Sequence, residues 1–307
     1  MTATRVEPRA TTLAAPVAAR RRRMTPQRIL LHAFLVLTSV VWLSPILWAI
    51  YTSLRPYADT ARLGYVSIGG TYNFDNFVNS WNGAELPKYF VNTLIIVVPA
   101  VILTLFLASM VAFAVSRYSW RLNLLLLMVF TAGNLLPQQV VITPLYRIYL
   151  LVLGIPEPLS DNGRLYDQYL GIMIIHIAFQ LGFCTFVLSN YMKTIPRELN
   201  EAAVVDGAGV FRTYREIILP LCRPPLAALA TLQFTWIYND FFWALILMRT
   251  GDKLPITSAL NNLKGQFFVD NNLIAAGSIL VALPTLIVFF VLQKQFIRGL
   301  TLGSTKG

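Results

Sequence analysis

E-A-A-V-V-D-G-A-G-V-F-R-T-Y-R-E-I-I-L-P, running from Glu201 to Pro220, is a charged island between two stretches greasy enough to cross a bilayer. Upstream, Thr194 and Pro196 can open a helix, since proline suits the first turn. Arg197 to Val205 is a helix-forming run in which Ala202 and Ala203 present almost no side chain, so a partner's surface can come close. Gly207, four residues after Ala203, extends that small face and can also end the helix. A second short helix, about 210–218, returns the chain to Pro220, and Pro224 and Pro225 start the next apolar run. A small-residue helix, a glycine and a proline-stopped apolar turn make a docking surface rather than a water-filling loop. Held parallel to the membrane by a span on each side, such a helix is a lever: pushing on it tilts both. An ordinary helix–turn–helix connector is the competing reading of the same residues.

Working outward, the rest of the chain is what a membrane places around such a loop. Of the 307 residues 56% are hydrophobic and only 13% charged, against about 25% charged in soluble domains. No Asp, Glu, Lys or Arg lies between Arg28 and Arg55, Lys88 and Arg117, Arg121 and Arg147, Asp167 and Lys193, or Asp270 and Lys294, and Pro224 to Met248 is broken only by Asp240. Each stretch is long enough for the roughly 20-residue helix a bilayer core requires. Backbone polar groups cannot go unpaired in lipid, so these stretches are expected to be helical. The reading is an all-α polytopic membrane protein with six transmembrane helices, near 29–52, 90–115, 122–143, 168–192, 224–248 and 272–293.

Charge sets the orientation. The N-terminal tail, the turn at 116–121, the connection from Lys193 to Arg223 that carries the Glu201–Pro220 loop, and the C-terminal tail hold 17 Lys and Arg, and the three other loops hold 8. The positive-inside rule puts both termini and that loop in the cytoplasm. Arg20 to Arg23 carry much of this bias and of the net charge of +11, which reads as topology and contact with anionic lipid. Without an accompanying aromatic or structured motif the run does not point to nucleic acid. Residues 1–27 are expected to be a disordered basic cytoplasmic tail, 28–298 the transmembrane domain, and 299–307 a cytoplasmic C-terminal tail. The first apolar run is too long for a signal-peptide core and lacks a following cleavage site, so it is expected to remain as an anchor.

Ala108, Ala112 and Ser116 repeat every four residues, as do Ser278 and Ala282, and such small faces let helices approach closely. Pro45, Pro99, Pro137 and Pro284 fall inside spans, where each removes a backbone hydrogen bond and favours a kink. The second outer loop is expected over 144–167, beginning at Pro144.

Catalytic chemistry is missing from the pattern. Gly-Lys occurs nowhere, so the chain has no phosphate-binding loop. His32 and His176 lie in apolar spans without a neighbouring acid and read as buried structural histidines, and Cys184 and Cys222 have no second ligand nearby, so no catalytic residue and no metal site is expected. Asp240 is the one acid inside a span, and an intramembrane charge is a functional candidate by default. With Asn239 and Trp236 beside it, and Asn134 and Gln138 making the third span polar, it marks a candidate substrate path. Trp236, Tyr238 and Trp243 either stack on the ring faces of a solute or simply pack.

The spacing Glu201-Ala202-Ala203-x3-Gly207-x9-Ile217-x-Leu219-Pro220 resembles the signature loop of ABC-importer membrane subunits, and the chain is similar to the carbohydrate-uptake, maltose-type branch of that family. Supporting stretches are Tyr89 to Leu94, Trp236 to Trp243 and the end Phe296 to Gly307, the last similar to the tail of the smaller six-span membrane subunit. The resemblance implies an ABC type I importer permease fold, with a core of about 88–294, a coupling loop at 194–222 and a cytoplasmic coupling helix. It implies ATPase-coupling roles for Glu201, Ala202, Ala203, Asp206, Gly207, Ile217, Leu219 and Pro220. It implies as partners a second permease subunit, two copies of a cytoplasmic ABC ATPase and an extracytoplasmic sugar-binding protein, with ATP and Mg held by the ATPases and no cofactor on this chain. In maltose-type systems the sugar is held mainly by the other permease subunit. An ABC permease for another solute, such as a peptide or phosphate, is the nearest alternative. A stand-alone secondary transporter fits less well, since six spans, one buried acid and no visible repeat are unlike such carriers.

Overall fold

The computed structural model describes residues 25–263 and 269–301, except for the side chains of Asn134, Leu135, Asn262 and 294–301. The Arg20–Arg23 run and residues 302–307 of the C-terminal tail lie outside the described residues. Among the described residues the backbone is helices and turns, with one isolated bridge between Leu153 and Arg164.

Residues up to Trp48 form one compact unit and those from Ala49 a second. Helix α1 (Pro26–Ser53) stays continuous through Pro45, and in its first-unit part the apolar side chains, Leu30 and Trp42 among them, are exposed, as a lipid-facing helix requires. Short helices α2 (Tyr57–Leu63) and α3 (Asp75–Gly83) fold the connection that leads to the next long helix. Beneath them the buried Arg55 guanidinium donates to the carbonyl of Ser67 at 2.9 Å and that of Asp59 at 3.0 Å.

Helix α4 (Leu86–Arg117) is about 48 Å long at 1.5 Å per residue, more than enough to cross the hydrocarbon. Its buried Ala100, Thr104, Ala108, Ala112 and Ser116 repeat every four residues, and the helix packs chiefly on α7 (Tyr169–Met192), itself small-faced at Gly182, Thr185 and Ser189. The expected small face at Ala108, Ala112 and Ser116 is therefore real and longer than anticipated. The one at Ser278 and Ala282 is not: Ser278 is half-buried and Ala282 exposed, and the tight approach is at Gly277, where a Cβ would stand 2.6 Å from Leu263 Cδ1.

Between α4 and α7 the chain forms α5 (Asn123–Leu135) and α6 (Gln138–Leu151), bent by 96° at the Leu136-Pro137 break. The single span expected over 122–143 is thus two helices, because Pro137 restricts Leu136 to extended backbone. Helix α6 also runs through Pro144, so the second outer loop starts after Leu151 rather than at Pro144.

After α7 come α8 (Glu198–Val205), α9 (Val210–Arg212) and α10 (Leu219–Leu221), then α11 (Arg223–Tyr238) and α12 (Phe242–Leu247). The expected span over 224–248 is likewise interrupted, at Asn239–Phe241. Helix α13 (Ile256–Ala259) and the long α14 (Asn271–Thr301) finish the described chain. Four of the described helices are long and apolar enough to cross a membrane, or up to six spans if two bent pairs each count as one: α5 with α6, and Val210–Leu221 with Arg223–Tyr238, bent by 75°.

The 144–167 and 249–270 segments are clasped to each other and to α4 by polar bonds. Asn92 Nδ2 donates to the carbonyls of Asp252 and Leu254 at 2.7 and 3.0 Å, and the Ile256 amide donates to Thr93 Oγ1 at 2.8 Å. The Asp167 carboxylate accepts from the amides of Arg249 and Thr250 at 2.7 and 3.0 Å. Lys253 pairs with Asp161, which Gln168 also bonds.

Candidate functional site

The described residues gather into two functional places, a loop and a cleft. Helix α8 has Glu198 and Glu201 in its first turn, where carboxylates complement the helix dipole. Its end is a Schellman motif: the Ala208 amide donates to the Ala203 carbonyl at 2.8 Å and the Gly207 amide to that of Val204 at 3.0 Å. Gly207 sits at φ +76°, the left-handed conformation this motif needs and glycine adopts without strain. Glu201, Ala202, Asp206 and Gly207 are exposed, while Ala203 is buried. Ile217, Leu219 and Pro220 are half-buried and serve as the loop's return anchor.

The return segment passes through a π-turn, Thr213–Ile218, just before Pro220, whose missing N–H interrupts the α-helical ladder there. From this turn Tyr214 and Ile218 point into a core shared with Ala108, Ala112, Cys184, Leu188 and Met192 of α4 and α7. The Ser109 hydroxyl donates to the Phe106 carbonyl, so the Tyr214 hydroxyl, 2.7 Å away, donates to Ser109 Oγ. Arg117 Nη1 donates to the Ile195 carbonyl at 3.1 Å, fixing the other end of the loop to α4. Cys184 and Cys222 are both buried and free in this core.

Sequence reasoning missed the loop's outward apolar surface. Val204, Val205, Val210 and Phe211 are all exposed, Val205 at 86%. The signal was available: two apolar pairs flank the Gly207–Gly209 turn inside a charged island.

The cleft, of about 790 Å³, lies where the α11–α12 break faces α7 and the start of α6. Gln138, Trp236, Asn239 and Asp240, four of the five residues expected along a substrate path, line it together with His176 and Gln180. The side chain of Asn134 lies outside the described residues. The break turns Asp240 toward the cleft: its carbonyl accepts from Thr257 Oγ1 at 2.6 Å, and its carboxylate takes only two long bonds, 3.4 Å each, from the Trp243 and Ala244 amides.

His176 corrects the sequence reading. It has an acid neighbour, Asp240, with Nε2 3.6 Å from Oδ2. That is beyond hydrogen-bond range, and Nε2 is buried with no partner. The 63 intervening residues hid the pair. The three aromatic candidates also separate. Tyr238 is buried and donates to the Val281 carbonyl at 2.9 Å, and Trp243 is buried against Phe179, so both pack. Trp236 alone is exposed, at 45%, with Phe183 beside it at 5.5 Å between ring centroids.

Residues 100–301 match the family described as "Binding-protein-dependent transport system inner membrane component". A probable ABC transporter permease protein of Pyrococcus horikoshii is 34% identical over 263 residues, covering 85% of this chain and 91% of its own. The maltodextrin transport system permease protein of Bacillus subtilis is 30% identical over 286 residues, covering 91% of this chain and 96% of its own. A chain from the crystal structure of a bacterial ABC transporter involved in the import of the acidic polysaccharide alginate shares the fold, with TM-score 0.74 at 21% identity over 92% of this chain and 100% of that one. With two thirds of its length matched by the family and a relative of this identity along most of the rest, the chain belongs to the binding-protein-dependent inner membrane components of ABC transporters.

Proposed function

We propose that this chain is one half of the membrane channel of an ATP-driven importer for a sugar or oligosaccharide. As a permease subunit it is a transport component, and hydrolysis belongs to separate subunits. The observation that carries the reading is the Glu201–Pro220 loop: an exposed helix closed at Gly207, flanked by exposed valines and Phe211, and rooted by Tyr214 in α4. Such a surface suits a cleft on a cytoplasmic ATPase, with Glu201 and Asp206 supplying charged contacts and the Val204, Val205 and Phe211 side chains the apolar ones. Two ATPase copies and a second permease complete the assembly, and an extracytoplasmic binding protein delivers the solute to the clasped outer loops. In this arrangement the α5–α6 pair counts as one span and the run from α11 through α12 as another, giving six with α1, α4, α7 and α14, and both termini and the Glu201–Pro220 loop are cytoplasmic. The sugar assignment is supported by the maltodextrin permease among the relatives and by the aromatic and amide lining of the cleft.

Affinity purification from the native membrane, wild type beside Gly207→Asp, tests this. A second permease and an ATPase should accompany the wild type and be depleted from the variant. A wild-type chain that purifies alone and still transports would overturn the proposal.

A further inference from the structure

We propose that the cleft of this subunit is itself a saccharide subsite, selective for uncharged sugars, in which one ligand hydroxyl bridges His176 Nε2 and Asp240 Oδ2. The inference rests on the sugar-importer reading above and adds to it which subunit touches the sugar and what charge the sugar carries.

The pair is built for a third group. His176 is only 6% exposed and its Nε2 has no partner, a situation that is destabilising when nothing relieves it. Asp240 Oδ2 has only one long amide bond, at 3.4 Å. At 3.6 Å the two side chains stand too far apart to satisfy each other. An oxygen about 2.8 Å from both would subtend an angle of about 80° between them, within reach of an sp³ hydroxyl. A hydroxyl also has the right polarity, since it donates to the carboxylate while accepting from an imidazole N–H. Behind the pair lies a void of only about 10 Å³, room for about one water, so a ligand must arrive from the large cleft in front.

The remaining walls suit a sugar ring. Trp236 offers an exposed indole, and Gln138, Gln180 and Asn239 offer amide groups that both donate and accept. The volume lies within the range of small-molecule sites. Among the described lining residues there is no Lys or Arg. A uronate carboxylate would therefore meet Asp240 in a desolvated setting with no opposite charge to offset the repulsion.

The test is a tryptophan-fluorescence titration of the full chain in lipid nanodiscs with maltotriose, cellotriose and xylotriose, and with trigalacturonate as the acidic probe. At least one neutral trisaccharide should bind the wild type at least tenfold more tightly than trigalacturonate. Asp240→Asn and His176→Gln should each weaken the neutral ligand tenfold or more, and Asp240→Asn should narrow the gap to trigalacturonate. Trp236→Leu, at the exposed rim and away from the pair, should weaken binding several-fold and serves if the buried variants fail to fold. Equal binding by these variants, or equal binding of trigalacturonate by the wild type, overturns the proposal. So does the absence of any saccharide binding. In that case ATPase activity of the assembled importer, with its sugar-loaded binding protein, separates two failures: stimulation sinks the subsite alone, and no response to any sugar sinks the importer reading as well.

Discussion

Substitutions at Gly207 separate two jobs that one glycine does. A Cβ built there meets nothing within 4 Å, so the isolated chain raises no steric objection to a side chain. The backbone does, because φ is +76° and left-handed conformations cost non-glycine residues roughly 1–2 kcal/mol, with Asn and Asp the common exceptions. Gly207→Ala should therefore loosen the Schellman closure of α8 by about that amount, which is roughly a 5- to 30-fold rise in local opening. The amide of Ala208, which donates to Ala203, reports it directly by hydrogen exchange. Gly207→Asn should leave that protection within a few-fold of wild type. Gly207→Asp should do the same in the isolated chain, yet lose sugar-stimulated ATPase activity in the assembled importer, because a charged side chain then projects into the docked face. Unchanged protection in Gly207→Ala would refute the conformational argument. Normal transport by Gly207→Asp would refute the coupling role.

Gly171→Ala should be the most damaging small change in the core: the new Cβ would overlap the Leu165 carbonyl and stand 3.0 Å from Tyr149 Cε1. Overpacking of about 1–3 kcal/mol plus about 1 for the Tyr149–Gly171 hydrogen bond gives a drop in Tm on the order of 5–10 °C, read by thermal unfolding in detergent. Tyr214→Phe removes the bond to Ser109 and should cost about 1 kcal/mol of stability while lowering sugar moved per ATP hydrolysed in proteoliposomes; an unchanged ratio would dismiss the anchor. Acid should open the outer clasp. The Lys253 ammonium, followed by Gln168, holds the Asp161 carboxyl below its usual range; at Asp167 burial pushes upward, but the Thr250 and Arg249 bonds outweigh it. Their contribution is present above the unfolded value of about 3.9 and is lost as pH falls through the lower folded values, so amides at 249–256 should lose exchange protection, corrected for intrinsic rate, only below about pH 4.

Much of this was legible in the chain because membranes leave few options. Apolar length and loop charge located the helices, and a four-residue spacing of small side chains located the face that α4 turns to α7. Gly207 was readable as a stop because the left-handed closure has a residue preference. Trp236, Asn239, Asp240 and Trp243 fall at i, i+3, i+4 and i+7, so their shared side was also visible. What they face was not. The meeting of His176 with Asp240 depends on how α7 lies across the α11–α12 break, and no local period encodes a contact between distant segments. The same limit hid the fate of the aromatics. Tyr238 and Trp243 are as greasy as Trp236 in composition, and only packing against Val281 and Phe179 buries them, with Trp243 still bordering the cleft. Pro137 was read as a kink, whereas the restriction on the preceding residue made it a corner.

The rooting of Tyr214 on Ser109 has a genetic consequence. The two residues have 104 others between them in sequence, yet the return half of the loop and the C-terminal half of α4 share one core. Second-site revertants of a damaged loop should accordingly arise near Ser109 and Phe113 as readily as in the loop itself. A lineage that exchanged its ATPase for a distant one would have to revise α4 along with the loop. Grafting the twenty residues from Glu201 to Pro220 into another permease should then transfer partner choice poorly unless the matching face of α4 travels with them.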